Sequence, residues 1–484
     1  MTQPTLFDNP IWNYFKQLSD IPRESGNESG VREFLLAFAK EHNFTSLVDT
    51  AGNVIMKVPP TKGKEHLPSL ALQGHMDMVC VKGEGSNHNF LTDAIKLVQE
   101  GDFLHGDNTT LGADNGIAIA LMLDLFTDHK AVHGPLEGIF TIEEETGLTG
   151  AFHLDGSLIE SRRMLNIDNE EEGVFLIGSA GGNEVDGTIA FDKKNISLED
   201  PHFYEIEVSG LLGGHSGGEI HTQRGNAIVF ISRFFNTLIN STPFQLISIN
   251  GGSKRNVIPS RCKAVIAIPS SSNKNLTNLV SSFSDILNNE FRHIEKDILI
   301  KHEKLNNQNY KGLSVEETST FFKGLLLAPN GVQRMSDNIK GIVETSANLA
   351  IVKTTDAAIT IVSSQRGEIE SALRFASDKT ALAFSFAGAK AEVGNSYPAW
   401  TPRPNSPLAD LCAKAYKGIY NEEAEITAIH AGLECGIINE RVPGMDSVSL
   451  GPNMYDVHSI KERVSISSTE RIATFLRHLC EIIA

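Results

Sequence analysis

The sequence predicts an α/β protein in which a largely parallel sheet layered with helices is interrupted by an inserted α+β segment. Three observations carry this expectation. The chain has 484 residues, past the ~250–300 at which a single hydrophobic core stops growing. As far as Asp186, short apolar runs alternate with stretches of helical periodicity, the pattern of repeated strand and helix units. Between residues 187 and 398 that pattern gives way to two consecutive strand and helix rounds, and residues 399–484 return to the first texture.

The elements follow in order. Residues 11–18 and 31–42 have amphipathic helical spacing, and 54–58 and 70–72 are strand-like. A glycine-rich turn leads into an apolar helix over 117–125, and strands follow at 138–142, 163–167 and 174–178. In the inserted segment, strands at 203–208 and 264–268 enclose a helix over 226–240 and a hairpin-like turn at Ile249-Asn250-Gly251-Gly252. A helix at 276–291, a strand at 297–304 and a helix at 315–327 come next. Strands at 343–353, 357–363 and 389–393 then surround a helix at 369–386. These two rounds read as a lid-type domain of two similar α+β halves. Pro398, Pro402, Pro404 and Pro407 mark the return to the first domain, which closes with helices at 406–420 and 468–483.

Composition excludes several classes of function. With 42 Lys+Arg against 60 Asp+Glu the formal net charge is −18, and no clustered basic surface stands out for a phosphate backbone or an anionic membrane. No run reaches the ~18 apolar residues of a spanning helix, and residues 1–16 lack a basic segment followed by an apolar one. The expectation is a soluble cytoplasmic protein that binds neither nucleic acid nor membrane. The five cysteines (Cys80, Cys262, Cys412, Cys435, Cys480) are odd in number and contain no CxxC pair, so they read as inert buried thiols.

Chemistry concentrates in four places. His75 and Asp77 follow the apolar run 70–72 in Gly74-His75-Met76-Asp77. Strand alternation would turn both to one side, where a carboxylate can orient a metal-bound imidazole; a half-buried strand ending in polar residues reads equally well from so short a match. Asp114, in Gly112-Ala113-Asp114-Asn115-Gly116, precedes the apolar helix and also fits a helix N-cap. Glu143, Glu144 and Glu145 stand at the end of the strand 138–142, and Asp168 leads an acidic run after 163–167. Open α/β sheets gather such ends into one crevice, and His75, Asp114, Glu145 and Asp168 would form a nitrogen and oxygen donor set suited to zinc, manganese or cobalt. Among the sixteen histidines, His458 in a Gly-Pro loop is the best candidate to complete a second position.

In this order, GHMD, GADNG, EEETG, NIDNEEEG and the Gly451-Pro452 loop with His458-Ser459 resemble the dinuclear-zinc exopeptidases of the aminoacylase and carboxypeptidase G type. GLLGGHSGGEIH at 210–221, KRNVIP at 254–259 and HAGLECG at 430–436 resemble the aminoacyl-histidine dipeptidase branch of that family. The similarity runs over nearly the whole chain. It implies a zinc-exopeptidase-type three-layer catalytic domain, discontinuous over 1–186 and 399–484, with a lid and dimerisation domain over 187–398.

The resemblance also implies residue roles. Asp114 bridges two divalent ions, with His75 and Asp168 on one and Glu145 and His458 on the other. Zinc is expected, with manganese or cobalt as alternatives. The peptide Asp114-Asn115 is cis, Asp77 orients His75, and Glu144 is general base toward a hydroxide bridging the ions. His215 donates to the oxyanion from the lid, Asn256 and Arg366 hold the substrate carboxylate, and Glu434 holds the free amine. The implied activity is hydrolysis of unblocked dipeptides of broad Xaa-His, carnosine-like type by a homodimer joined through the lid. An N-acyl amino acid amidohydrolase on the same scaffold is the alternative. Residues 453–457 depart from the family pattern, which leaves His430 as a competitor for the position given to His458.

Overall fold

The computed structural model describes residues 5–190, 194–403 and 405–483; Pro404 and the first four residues lie outside them. The chain divides into two compact units. One comprises residues 1–179, 400–428 and 433–484, and the other 180–399 and 429–432.

The first unit is built on an eight-stranded sheet in the order Thr45–Val48, Val54–Val58, Leu136–Thr141, Leu70–His75, Arg163–Asn166, Asp446–Ser449, Val174–Ser179, Glu425–Ile429. The four strands from Leu136–Thr141 to Asp446–Ser449 pair with one another in parallel. Val54–Val58 and Val174–Ser179 join them antiparallel. The expectation of a largely parallel sheet is thus corrected to a parallel centre with antiparallel flanks. Short links such as the one from Val48 to Val54 permit hairpins, whereas parallel neighbours need a longer crossover.

Both faces of this sheet are covered. Val54, Met56, Leu70, Leu72, Phe140 and Leu165 belong to one large apolar core, while their strand neighbours Ile55, Ala71, Ile139 and Met164 are equally buried outside it. With side chains alternating across the sheet, that requires a layer on each side. The core on the first face is filled by the helices Pro10–Ser19, Ser29–Glu41, Ala113–Thr127, Pro407–Tyr420 and Ile466–Ile483. Asn9 caps the first of these by accepting the Ile11 N–H at 3.0 Å. Ala113–Thr127 is buried on nearly every side, as a helix with almost no polar face must be. A smaller antiparallel sheet pairs Met454–Tyr455 with Arg463–Ser465, and the latter with Phe103–Gly106, so residues 456–462 form the loop of a pinned hairpin.

The second unit carries a nine-stranded antiparallel sheet in two halves. Pro201–Ser209, Ala227–Ile239, Gln245–Gly251, Cys262–Pro269, Asn273–Glu290 and Leu299–Leu305 run strand, helix, strand, strand, helix, strand. Gly181–Ala190, Val315–Leu327, Val343–Thr354, Ala358–Gly367, Glu370–Phe386 and Lys390–Tyr397 repeat that succession with the same strand order, and Gly331–Met335 adds an edge strand. The halves join where Asn250 and Gly251 pair with Lys353 and Val352. The expected hairpin turn at 249–252 is therefore overturned: Asn250 and Gly251 lie within a strand. Glycine is needed there because a Cβ would approach Cys262 Sγ to 2.6 Å. The strand Gly181–Ala190 is continuous, so the expected junction between 186 and 187 falls inside it.

Candidate functional site

Three parallel strands end side by side. Leu70–His75 lies between Leu136–Thr141 and Arg163–Asn166, with His75 opposite Thr141 and Gln73 opposite Asn166. The residues that follow these strands emerge together at one edge, the position at which open α/β sheets bind ligands. They are Asp77, Glu143–Glu145 and Asp168. The strand stops at His75, so Asp77 reaches the imidazole through the turn after the strand and not by the strand alternation expected from the sequence. Gly74 permits the approach of the next helix, since a side chain there would strike Asn115 and Ala118. Asn115 in turn accepts the His75 N–H at 3.2 Å and donates to the Ile167 carbonyl at 2.7 Å. The Asp114-Asn115 peptide is cis.

Around this edge the first unit brings its expected ligand residues together. His75 Nε2 lies 3.0 Å from Asp114 Oδ1 and 3.6 Å from Asp168 Oδ1. His458 Nε2 lies 2.9 Å from Asp114 Oδ2 and 3.0 Å from Glu145. Asp114 therefore faces one imidazole with each of its oxygens. Three overlapping groups have donor atoms within 4.8 Å of one another: His75, Asp114 and Asp168; His75, Glu144 and Glu145; and Asp114, Glu145 and His458. His430 is in none of them.

Asp77 organises the centre from beneath. Its Oδ1 lies 3.2 Å from His75 Nδ1 and accepts the Glu144 N–H at 3.1 Å. Its Oδ2 accepts the Glu145 N–H at 3.2 Å and the Ser25 hydroxyl at 2.7 Å. Glu28 continues the support by accepting the Glu143 N–H at 3.1 Å, where Glu143 holds a left-handed φ of 47°. One buried carboxylate thus fixes both the first histidine and the acidic turn. Burial opposes the charge of Asp77, yet the His75 contacts hold its pKa down to about 2.

The electrostatics show a shortage of positive charge. Burial drives the pKa of Glu144 well above the carboxylate range against the pull of His75, and Asp168 and Glu145 push it further. Burial does the same to Asp168, and Glu145 is raised by burial and by Asp114. The imidazoles respond in the opposite sense. The hydrogen bonds of His458 to Asp114 and Glu145 push its pKa to about 11, and those of His75 to Asp114 and Asp77 overcome its burial. Four acids converge on two imidazoles, which hold Asp114 ionised while burial forces Glu144, Glu145 and Asp168 toward neutrality, an environment that a divalent cation relieves. Oxygen and imidazole donors without thiolate suit zinc, manganese or cobalt, so the residues fit such ions.

Glu434 belongs to the same unit. It begins the helix Glu434–Arg441 and is fully buried. Its Oε2 accepts from Gln73 Nε2 at 2.6 Å and Thr141 Oγ1 at 2.7 Å, and its Oε1 has no hydrogen-bond partner. Burial raises its pKa to about 7. His215, Asn256 and Arg366 belong to the inserted unit, where they cluster. The Asn256 carbonyl accepts the Ser216 N–H at 2.8 Å, and Arg366 Nη1 donates to Tyr397 Oη at 2.8 Å. A Cβ on Gly217 would lie 3.0 Å from the His215 ring and 3.3 Å from the Arg366 guanidinium. His430 joins this cluster, with Nε2 2.7 Å from Ser346 Oγ, and burial lowers its pKa to about 3.

Sequence reasoning missed Arg23, Glu28 and Glu462, all buried beside the centre. Glu462 follows His458 by four residues, the single sequence cue available.

The profile described as Peptidase family M20/M25/M40 matches residues 71–482. The cytosol non-specific dipeptidase of Escherichia coli K12 is 37% identical over 474 residues, covering 98% of this chain and 97% of that protein. The crystal structure of aminoacylhistidine dipeptidase from Vibrio alginolyticus superposes with a TM-score of 0.88 at 34% identity, covering 98% of this chain and 96% of the other. A tripeptidase from Staphylococcus aureus shares the fold at a TM-score of 0.57 and 16% identity, covering 98% of each chain.

Asp77→Asn tests the supporting role drawn from this geometry. The amide keeps the size but turns a donor toward groups that need an acceptor, so affinity for divalent cations should fall by about 10–100-fold. Competition with a metal-sensing chelator measures it, and wild-type affinity would remove Asp77 from the support of His75.

Proposed function

Because the chain belongs to peptidase family M20/M25/M40, we propose that it is a metal-dependent dipeptidase of broad Xaa-His type with its catalytic centre at Asp114. The observation that carries this reading is the shared position of Asp114 between two donor groups, one with His75 and Asp168 and one with Glu145 and His458. Those five residues would hold two divalent cations, with zinc preferred and manganese or cobalt as alternatives. Such a pair supplies Lewis acidity at the scissile carbonyl and lowers the pKa of water.

The chain's own groups account for the remaining chemistry. Glu144 takes the proton of the attacking water at its carboxylate and passes it to the leaving amine, a general-base role that its place in the donor cluster supports. Asp77 holds the orientation of His75 through Nδ1. Glu434, with one carboxylate oxygen lacking a partner in a buried setting, is suited to an ammonium, the free amine of an unblocked dipeptide. His215 is assigned as oxyanion donor, and Asn256 and Arg366 as the carboxylate clamp, Arg366 offering a planar fork. Their mutual proximity in the inserted unit supports a common role. A cytoplasmic location and assembly as a homodimer through the inserted unit complete the reading. Among the described residues no helix is long and apolar enough to cross a membrane.

Replacing Glu144 with Ala should reduce kcat by at least about 10²–10⁴-fold while metal analysis still finds two equivalents of cation; substantial residual turnover would remove Glu144 as base. Substrate choice separates a dipeptidase from an N-acyl amino acid amidohydrolase. Kinetics on a dipeptide and its N-acetyl derivative should favour the free amine, with the preference reduced in Glu434→Gln. Preference for the acetylated form would sink the dipeptidase reading. Sedimentation should find twice the 52.7 kDa chain mass, and a monomer at micromolar concentration would exclude the homodimer.

A further inference from the structure

Glu462 is 2% exposed and lies in the hairpin loop that carries His458. Its Oε2 accepts the backbone N–H groups of Leu111 at 2.7 Å and Gly112 at 3.0 Å. Its Oε1 accepts those of Ala113 at 2.8 Å and Asp114 at 3.3 Å. Four consecutive amides therefore converge on one carboxylate. A second tie comes from Arg23, also 2% exposed. Its Nη1 donates to the Met76 and Asp77 carbonyls at 3.3 and 3.0 Å, and its Nη2 donates to the Gly112 carbonyl. Side chains at Gly112 or Gly116 would collide with this guanidinium, and Gly112 holds a φ of 72°. Glycine at both positions leaves room for the tie.

A carboxylate is the wrong charge for a filler beside a centre already rich in acids, since it adds repulsion against Asp114. Its retention needs compensation, which the four amides and Arg23 provide. We propose that Glu462, supported by Arg23, is a positioning residue that sets the turn presenting Asp114 and locks it to the loop presenting His458. The two side chains come from loops far apart in sequence yet meet at 2.9 Å. Glu462 is the group that bonds the backbone of one from the loop of the other. The inference rests on the reading of Asp114 and His458 as ligands of one cation.

The test uses the full-length protein stripped of metal and titrated with Zn2+ by calorimetry and with Co2+ by visible absorption. Glu462→Gln keeps one acceptor and turns an NH2 group toward the remaining donors. It should weaken the equivalent that depends on His458 at least tenfold, weaken the other to a smaller extent because both share Asp114, alter the cobalt spectrum, and lower kcat at least tenfold with KM within twofold. Arg23→Lys, which replaces the fork by a point charge, should shift the same quantities in the same direction and decides the question if Glu462→Gln does not fold. A folded variant of either kind with lowered thermal stability but unchanged metal affinities and cobalt spectrum would overturn the proposal, because Glu462 would then serve the fold alone. Failure of the wild-type protein to take up either ion would instead overturn the metal-centre reading on which it rests.

Discussion

Four carboxylates meet two imidazoles at the end of the parallel strands, and the buried polar groups around them answer that imbalance. Left alone, Asp114, Glu144, Glu145 and Asp168 repel one another, and burial makes the repulsion expensive. The imidazoles of His75 and His458 offset part of it by holding protons far more tightly than usual. A pair of divalent cations would offset it more completely and would displace those protons, so metal affinity in this site is coupled to proton release. The centre is unfavourable as bare protein and favourable as a metal site, a combination expected of a functional cluster more than of a structural one.

Because the charges strain the site, its geometry has to be enforced from outside the donor set. Asp77 anchors His75 and both amides of the acidic turn. Glu28 holds the residue before them, Asn115 stitches the His75 strand to the Asp168 segment, and Glu462 with Arg23 fixes the turn at Asp114. These supports are themselves mostly charged and buried, and each bonds backbone groups, which cannot titrate away. Glycines recur where this packing is closest. Gly74 and Gly112 stand where any side chain would displace Asn115 or Arg23.

Most of the candidate donor residues are legible in the sequence because they sit in short polar clusters after an apolar strand or, for Asp114, just ahead of an apolar helix, a local pattern. His458 is legible only through its Gly-Pro loop and the resemblance, and within the first unit the geometry sets it beside Asp114. The supports were not legible. Glu462 meets Gly112 across 350 residues of sequence, and a buried acid has no periodicity to betray it. In the fold, long helices and apolar strands were readable from their spacing. The antiparallel flanks of the main sheet were not, because strand direction depends on pairing and not on local pattern. Asn250-Gly251 misled for the opposite reason: a strong local turn signal was overridden by tertiary pairing that needs glycine in a strand.

The most direct measurement is anomalous diffraction at the zinc edge from crystals of the zinc-loaded protein. The account predicts two peaks, both within ~2.0–2.2 Å of Asp114 oxygens, one completed by His75 and Asp168 and the other by Glu145 and His458. A single peak that leaves Asp114 uncoordinated, or no peak at this strand edge, would contradict it.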